Sequence, residues 1–340
     1  MTNQQPIQLV YGNHGTAVHL EDLLSILHAG LSQLGHPVAY AKRPAPGCTN
    51  LLIENFGDYF TAEVESLRGR ARFLLLATEF VTSGGFNEFG GPSYGYLRSR
   101  IRAKLEKRRR RRRRRRGEDE GERSSAEDHY SKRYMWRRRY SNFLRVSRAA
   151  DAIWCLSEHQ VEAYRQATGF ERVFHLEFGY LAPEIPVLHL PDDEKDIDFL
   201  FTGTRTPYRE AILGALHQRG HQVAWLDVNT PGFIRRDFLA RARICLNLKQ
   251  FADWEYPSVA RFHYHLVNRS LLLTEQTRFR CELTDLVPNA ESARFVDFCE
   301  EIHARGGYTA WATTLQEKYR AGTSLLKNLS RLLGASSLDS

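Results

Sequence analysis

The chain has 340 residues, of which 42% are hydrophobic and 11% aromatic, so it can bury the cores of two ordinary globular domains. Its five cysteines stand singly with no CxxC pair, which excludes the usual zinc and redox motifs. The net charge is +8, but residues 98–148 hold 22 of the 48 Lys and Arg and only 7 of the 40 Asp and Glu. The remainder is therefore mildly acidic, which argues against nucleic acid as a partner of the body of the protein.

Residues 1–180 alternate short apolar strands with amphipathic helices, which is typical of an α/β domain. Strands are predicted at 7–11, 38–41, 51–54, 73–77, 152–156 and 173–177. Leucines at helical spacing between 20 and 31 predict the first helix, and another helix is expected at 130–148. The N-terminus has no signal pattern and no apolar run is long enough to span a bilayer, so we expect a cytoplasmic enzyme.

Residues 98–129 are predicted to be a disordered, Arg-rich insertion in this first domain, because the run Arg108 to Arg116 repels itself and cannot bury a core. Three interpretations remain open. The run is a tolerated surface insertion, a peripheral contact to an anionic inner membrane face, or a nucleic-acid contact, in that order of preference.

A second α/β domain is predicted at 190–307. Its first strand ends in Gly203-Thr204-Arg205, a later strand ends in Asn247-Leu248-Lys249, and another ends in Thr274-Glu275. Ligands of open parallel sheets bind at these carboxyl ends. Arg and Lys beside a glycine turn and helix N-termini suit a diphosphate. A long amphipathic helix at 308–333, within a C-terminal segment 308–340, completes the predicted elements.

This pattern resembles the GT-B glycosyltransferases, in particular the broad group that includes the spore-maturation-type enzymes. The resemblance rests on a strand with Phe201 and Gly203 followed by Arg209, and on the later series Asn247, Glu255, Arg261 and Thr274-Glu275. It implies two Rossmann-like domains facing a cleft, with a nucleotide sugar bound by the second and the acceptor by the first. It also implies that a C-terminal helix crosses back to the first domain.

By resemblance, the donor site comprises Gly203, Thr204, Arg205, Arg209, Lys249, Glu255, Arg261, His263 and Glu275. Glu255, expected to head a helix, would accept bonds from donor hydroxyls, and Arg261 would face the diphosphate. Glu275 would either contact the donor or cap local structure. Retaining members often carry a second Glu eight positions after the first, where this chain has His263. His263 and His265 point to different helix faces, so they cannot share a metal ion.

Glu79 and His14 are the candidates for the catalytic base, because both follow strands of the first domain at the end predicted to face the cleft. Glu79 is preferred, since it follows the strand with the most apolar sequence and precedes a glycine-rich loop. The predicted function is metal-independent transfer of a sugar, with no cofactor, to an unknown acceptor: a glycan, a lipid-linked group or a protein. The alternative is a non-catalytic GT-B-like protein that binds a polyanion through the Arg run.

Overall fold

The computed structural model describes residues 5–12, 18–53, 56–82, 85–87 and 133–336, with only the backbone described for 133–135. Arg108 to Arg116 and the rest of the predicted insertion lie outside the described residues, and so does His14.

The N-terminal half contains a six-stranded sheet whose neighbouring strands are all parallel. Its strands, in chain order, are β1 (Ile7–Val10), β2 (Val38–Ala41), β3 (Thr49–Ile53), β4 (Arg72–Ala77), β7 (Ala152–Cys155) and β8 (Val173–His175). These six strands lie in the order β2-β1-β3-β4-β7-β8. A separate short antiparallel pair, β5 (Val81–Thr82) and β6 (Gly85–Phe86), follows β4 in the chain. β3 is buried along its whole length, as expected of a strand covered on both faces. The helices of this half are α1 (Glu21–Gln33), α2 (Asp58–Ser66), α3 (Arg133–Ser147) and α4 (Val161–Thr168).

The C-terminal half contains a second all-parallel sheet, of five strands. Its strands are β9 (Ile197–Thr202), β10 (Val223–Leu226), β11 (Ala242–Asn247), β12 (Leu272–Glu275) and β13 (Asn289–Ala290), in the order β10-β9-β11-β12-β13. Its helices are α5 (Pro207–Gln218), α6 (Gly232–Arg241), α7 (Val259–Val267) and α8 (Phe295–Arg305). The sequence prediction of an α/β protein with two Rossmann-like sheets is confirmed.

Two helix predictions are wrong in detail. Glu255 does not head a helix, because α7 begins at Val259. Pro257 explains the shift: a proline lacks a backbone donor and disfavours helical geometry in the residue before it. The single long helix predicted at 308–333 is two helices, α9 (Tyr308–Arg320) and α10 (Leu325–Ser336).

The break between α9 and α10 contains Gly322. Residues that follow Gly322 hydrogen-bond to Tyr180, which lies in the segment between the two sheets; we call this segment the connection. The Tyr180 N–H donates to the Thr323 carbonyl at 2.7 Å, and the Leu325 N–H donates to the Tyr180 carbonyl at 3.2 Å. The chain therefore passes between the halves twice, with the two passages side by side.

Helix α10 packs on the N-terminal half. A Cβ added at Gly30 of α1 would lie 2.5 Å from Leu329, which shows how close the two helices approach. At the end of α10, the Trp154 indole N–H donates to the Ser336 hydroxyl at 2.9 Å. The Asn328 amide donates to the Glu177 carbonyl at 3.0 Å. Within the described residues, no helix combines the length and the apolar character needed to cross a membrane.

Candidate functional site

A cavity of about 230 Å³ lies at the carboxyl ends of β9 and β11, where open parallel sheets bind ligands. We call it the strand-end cavity. It is lined by Thr204, Arg209, Val228, Asn247, Leu248, Lys249, Gln250, Trp254, Tyr256, Ser258, Arg261 and Thr277. The structure thus brings three predicted cations, Arg209, Lys249 and Arg261, to one site, although they lie on three separate segments of the chain.

Arg209 ties the strand ends together. Its guanidinium donates to the Thr204 carbonyl at 2.9 Å and to the Leu248 and Lys249 carbonyls at 3.0 Å each. It also lies over the Phe201 ring, 5.0 Å from the centroid. The Thr206 hydroxyl caps α5 by accepting from the Arg209 N–H at 3.3 Å, so helix start and cation are fixed together.

Arg261 reaches the same place from α7. It donates to the Asn247 side-chain oxygen at 2.7 Å, and its guanidinium also lies over the Phe201 ring, 5.6 Å from the centroid. Burial lowers the pKa of Arg261 to about 10, while the negative charge of Asp22 acts in the opposite direction. The side chain therefore stays charged at neutral pH. Two guanidinium groups on one ring give the cavity a positive wall.

Lys249 and Glu275 meet behind this wall. The Lys249 backbone N–H donates to Glu275 Oε2 at 2.7 Å, and its ammonium donates to the Ser292 hydroxyl at 3.1 Å. The other oxygen of Glu275 accepts from the Tyr208 hydroxyl. Glu275 is only 2% exposed and does not line the strand-end cavity. Its observed partners correspond to the local capping role, the second of the two roles weighed for it.

The residues of the glycine turn after β9 lie in different surroundings. A Cβ at Gly203 would lie 2.6 Å from the Phe201 ring, so the close approach requires glycine. Thr204 lines the strand-end cavity. Arg205 instead lies exposed over the Trp225 ring, 4.9 Å from its centroid, and outside the cavity lining.

Glu255 and His263 lie away from the cavity lining. Glu255 accepts from Arg278 at 3.0 Å in the loop before α7. His263 is 1% exposed and contacts Tyr319, with 2.7 Å between Nδ1 and the hydroxyl. It faces α9 because positions two apart on a helix point in nearly opposite directions. The expectation that His263 contacts the donor does not agree with this placement.

Glu79 is engaged in an ion pair. Its carboxylate accepts from Arg139 and from the Asn87 amide, and its side chain is 11% exposed. The Arg139 guanidinium in turn lies 5.6 Å from the Phe56 ring centroid. Arg139 and Asn87 thus already occupy the Glu79 carboxylate. The geometry therefore does not support Glu79 as the base, and His14, the other candidate, lies outside the described residues.

A second cavity, of about 330 Å³, adjoins the first and reaches the N-terminal half. We call it the cleft cavity. The two cavities share Val228, Trp254, Ser258 and Arg261, and the N-terminal half contributes His19, Leu20, Asp22, Leu23, Thr78, Phe80 and Leu156. The sheets thus face each other across a continuous space.

Three polar residues of the cleft cavity were not predicted from the sequence. His19 lies exposed in the turn before α1, five residues after the candidate His14. Asp22 is on the first turn of α1, where burial raises its pKa and the ion pair with Arg235 opposes that shift. His265 is 6% exposed, and burial lowers its pKa to about 3. Its Nδ1 has no hydrogen-bond partner among the residues that the structure describes. The only sequence signal for His265 is its spacing, one helical turn after Arg261.

Several solved structures share this two-sheet arrangement. An alpha-glucosyltransferase in complex with UDP and a 13-mer DNA containing an HMU base matches with a TM-score of 0.55 and 9% identity, over 97% of this chain and 98% of that one. TarM from S. aureus, as a mutant in complex with Fondaparinux, alpha-GlcNAc-glycerol and UDP, matches with a TM-score of 0.50 and 7% identity over 85% of this chain. The match spans only 55% of TarM, about half of its length. The predicted GT-B fold is confirmed. No protein-family model and no curated protein matches the chain.

Proposed function

We propose that the protein is a metal-independent glycosyltransferase that moves a hexose from a nucleotide-diphosphate donor to an acceptor hydroxyl. The main support is the convergence of Arg209, Lys249 and Arg261 on the strand-end cavity. A leaving nucleoside diphosphate accumulates negative charge during transfer. Fixed cations and helix N-termini stabilise that charge and can replace a metal ion in this task.

Arg261 is the proposed diphosphate contact. A guanidinium has five N–H groups in a planar fork that matches phosphate oxygens, and Asn247 takes one of them. Arg209 already holds three backbone carbonyls, so its proposed contribution is charge together with a fixed cavity wall. Glycosyltransferase neighbours solved with UDP agree with a nucleotide sugar as the donor.

His19 is the proposed base on the acceptor side. It lines the cleft cavity from the N-terminal half, opposite Arg261 of the C-terminal half. Imidazole accepts a proton near neutral pH, as activation of an acceptor hydroxyl requires. The proposal moves the role from Glu79, which binds Arg139, to a residue that faces the cavity.

A donor panel tests the proposal. Thermal unfolding of the protein with UDP-, GDP-, ADP- and dTDP-sugars, each with and without a chelator, reports binding because a ligand of the folded state raises stability by mass action. We expect one nucleotide class to raise the melting temperature equally in both conditions. No stabilisation by any nucleotide sugar would reject a donor site, and stabilisation lost with chelator would reject metal independence.

Arg261→Ala tests the site itself. Loss of a charge-assisted hydrogen bond should weaken binding of the active nucleotide by about 1.5–3 kcal/mol, measured by calorimetry. Arg320→Ala is the matched control, because it removes the same charge from an exposed position on α9. Equal affinity of the Arg261→Ala variant and the control would show that Arg261 does not contact the donor.

His19→Gln tests the base. We expect turnover to fall by about 10²–10⁴-fold while donor affinity is kept. His217→Gln, at an exposed position of α5, is the control. With the acceptor unidentified, slow donor hydrolysis is the first readout, followed by a panel of glycan, lipid-linked, protein and DNA acceptors. Near-normal turnover of His19→Gln would show that His19 is not the base and would leave His14 as the candidate.

The alternative, a non-catalytic polyanion-binding protein, predicts different binding behaviour. It predicts salt-dependent binding of anionic vesicles or nucleic acid with no donor turnover. The mildly acidic body outside residues 98–148 favours the enzyme.

A further inference from the structure

Three potential metal ligands meet at the amino ends of the C-terminal strands. Asp198 is the second residue of β9, His221 lies just before β10, and His303 is on α8. One ligand atom from each lies within 4.8 Å of the others. In the portion of the chain that the structure describes, no other group of three His, Cys, Asp or Glu side chains meets this spacing.

The two imidazoles are held in place by an apolar support. The Phe199 ring centroid lies 5.0 Å from that of His221 and 5.6 Å from that of His303. His303 Nε2 is 2.8 Å from Asp198 Oδ1, and His221 Nδ1 is 3.9 Å from Asp198 Oδ2. The side chains of Asp198, His221 and His303 are 11%, 15% and 26% exposed, so an ion from solvent can reach them.

Residues outside this group of three contact both the His221 imidazole and the Asp198 carboxylate. Glu300 precedes His303 by one turn of α8, and its Oε1 lies 3.5 Å from His221 Nε2. Because this is the ring nitrogen away from Asp198, Glu300 would orient the imidazole and leave Nδ1 to the ion. Arg243 and the Gln222 N–H bind the two oxygens of Asp198, at 2.6 and 2.8 Å. Such outer contacts are what metal-binding His and carboxylate groups have in well-formed sites.

We propose that Asp198, His221 and His303 form a structural site for a divalent ion of the Zn²⁺ class. Two imidazole nitrogens and one carboxylate oxygen suit Zn²⁺, whereas Mg²⁺ and Ca²⁺ prefer oxygen ligands alone. The site lies at the end of the sheet opposite the strand-end cavity, so its ion takes no part in the proposed transfer. It would join α8 to β9 and to the segment before β10. The competing arrangement is a purely hydrogen-bonded cluster of Asp198 with the two His.

The test uses the untagged full chain after removal of metal by a chelator. Thermal unfolding and calorimetry with ZnCl₂ and with MgCl₂ are carried out on wild type, His221→Gln and His303→Gln. His217→Gln, an exposed His on neighbouring α5, is the matched control. Each variant is compared with itself without metal, so a change in its basal stability does not obscure the result.

We expect Zn²⁺ to raise the melting temperature of wild type and the control with one ion bound, and Mg²⁺ to have no effect. His221→Gln and His303→Gln should bind Zn²⁺ more than about 100-fold more weakly, since removal of even an outer partner costs about 10–100-fold. Absence of Zn²⁺ stabilisation in wild type would overturn the proposal in favour of the hydrogen-bonded cluster. Zn²⁺ binding retained by both variants would overturn it as well, by assigning the ion to other residues.

Discussion

Helix α7 carries three polar side chains in three different environments. Arg261 faces the strand-end cavity and Asn247, His263 faces Tyr319 of α9, and His265 lines the cleft cavity. Arg261 and His265, four positions apart, share one face, whereas His263 lies on the other. The position that holds a second Glu in many GT-B enzymes is thus occupied here by a residue that packs in the core.

His263 should make stability depend on pH. Burial lowers its pKa from 6.5 to about 3, so the unfolded chain takes up a proton before the folded one does as the pH falls. Stability contributed by the neutral ring is complete above about pH 6.5 and declines toward pH 3, by about 1.4 kcal/mol per pH unit for one proton. We expect His263→Gln to reduce this slope in urea unfolding measured at several pH values.

The control for this prediction is His217→Gln, because it removes the same ring from an exposed position on α5. It should keep the wild-type slope. His265, whose pKa burial also lowers to about 3, should leave part of the slope in the His263→Gln variant. A slope in His263→Gln equal to that of wild type would contradict the prediction.

At the scale of elements, what the sequence predicted depended on local pattern. The buried strands could be predicted because a short apolar run bounded by turn residues is typical of a strand in a parallel sheet, as for β4 (Arg72–Ala77). The convergence of Arg209 and Arg261 could be predicted because the ends of adjacent parallel strands meet. The Glu79–Arg139 pair could not, since its partners lie 60 residues apart with no spacing rule between them. The same holds for Asp198 and His303, 105 residues apart.

The joint between α10 and the connection depends on Gly179. A Cβ there would lie 2.5 Å from backbone atoms of Thr323, Ser324 and Leu325, which cannot move as a side chain can. We expect Gly179→Ala to destabilise the protein by about 1–3 kcal/mol in urea unfolding, as overpacking does. Gly214→Ala is the matched control: its Cβ meets nothing within 4 Å inside α5, and it should stabilise by about 0.5–1 kcal/mol. Equal effects of the two substitutions would show that the close approach carries no constraint.

Across the whole molecule, the halves are joined by a charged contact and an aromatic one. In the charged contact, Arg235 of α6 binds Glu21 at 2.9 Å and also pairs with Asp22, both on α1. In the aromatic contact, Tyr256 stacks between Phe80 of the N-terminal half and Phe279, with centroids at 4.0 and 4.9 Å. One apolar cluster also runs through both halves, and a second lies within the N-terminal half.

Arg235→Met tests the charged contact. Removing Arg235, whose side chain is 8% exposed, leaves the half-buried carboxylates of Glu21 and Asp22 without this partner, which should cost about 1–3 kcal/mol. We expect a loss of this size near neutral pH, and a smaller one in acid, because Asp22, whose pKa burial already raises, can then take up a proton. Arg241→Met, which breaks exposed pairs with Asp196 and Asp237, should cost only about 0–1 kcal/mol. Similar losses in both variants would show that the ion pairs of Arg235 contribute no more to stability than exposed pairs do.

The packing of α10 against α1 also sets an order of events during synthesis. The N-terminal sheet leaves the ribosome first, yet the helix that covers Gly30 and bonds to Trp154 is made only after the entire C-terminal half. Until then the part of α1 around Gly30 lacks the contact with α10, so the first half of the protein to be made is the last to be completed. During translation, the residues that α10 later covers therefore remain without that cover, and transiently exposed apolar surface of this kind promotes aggregation.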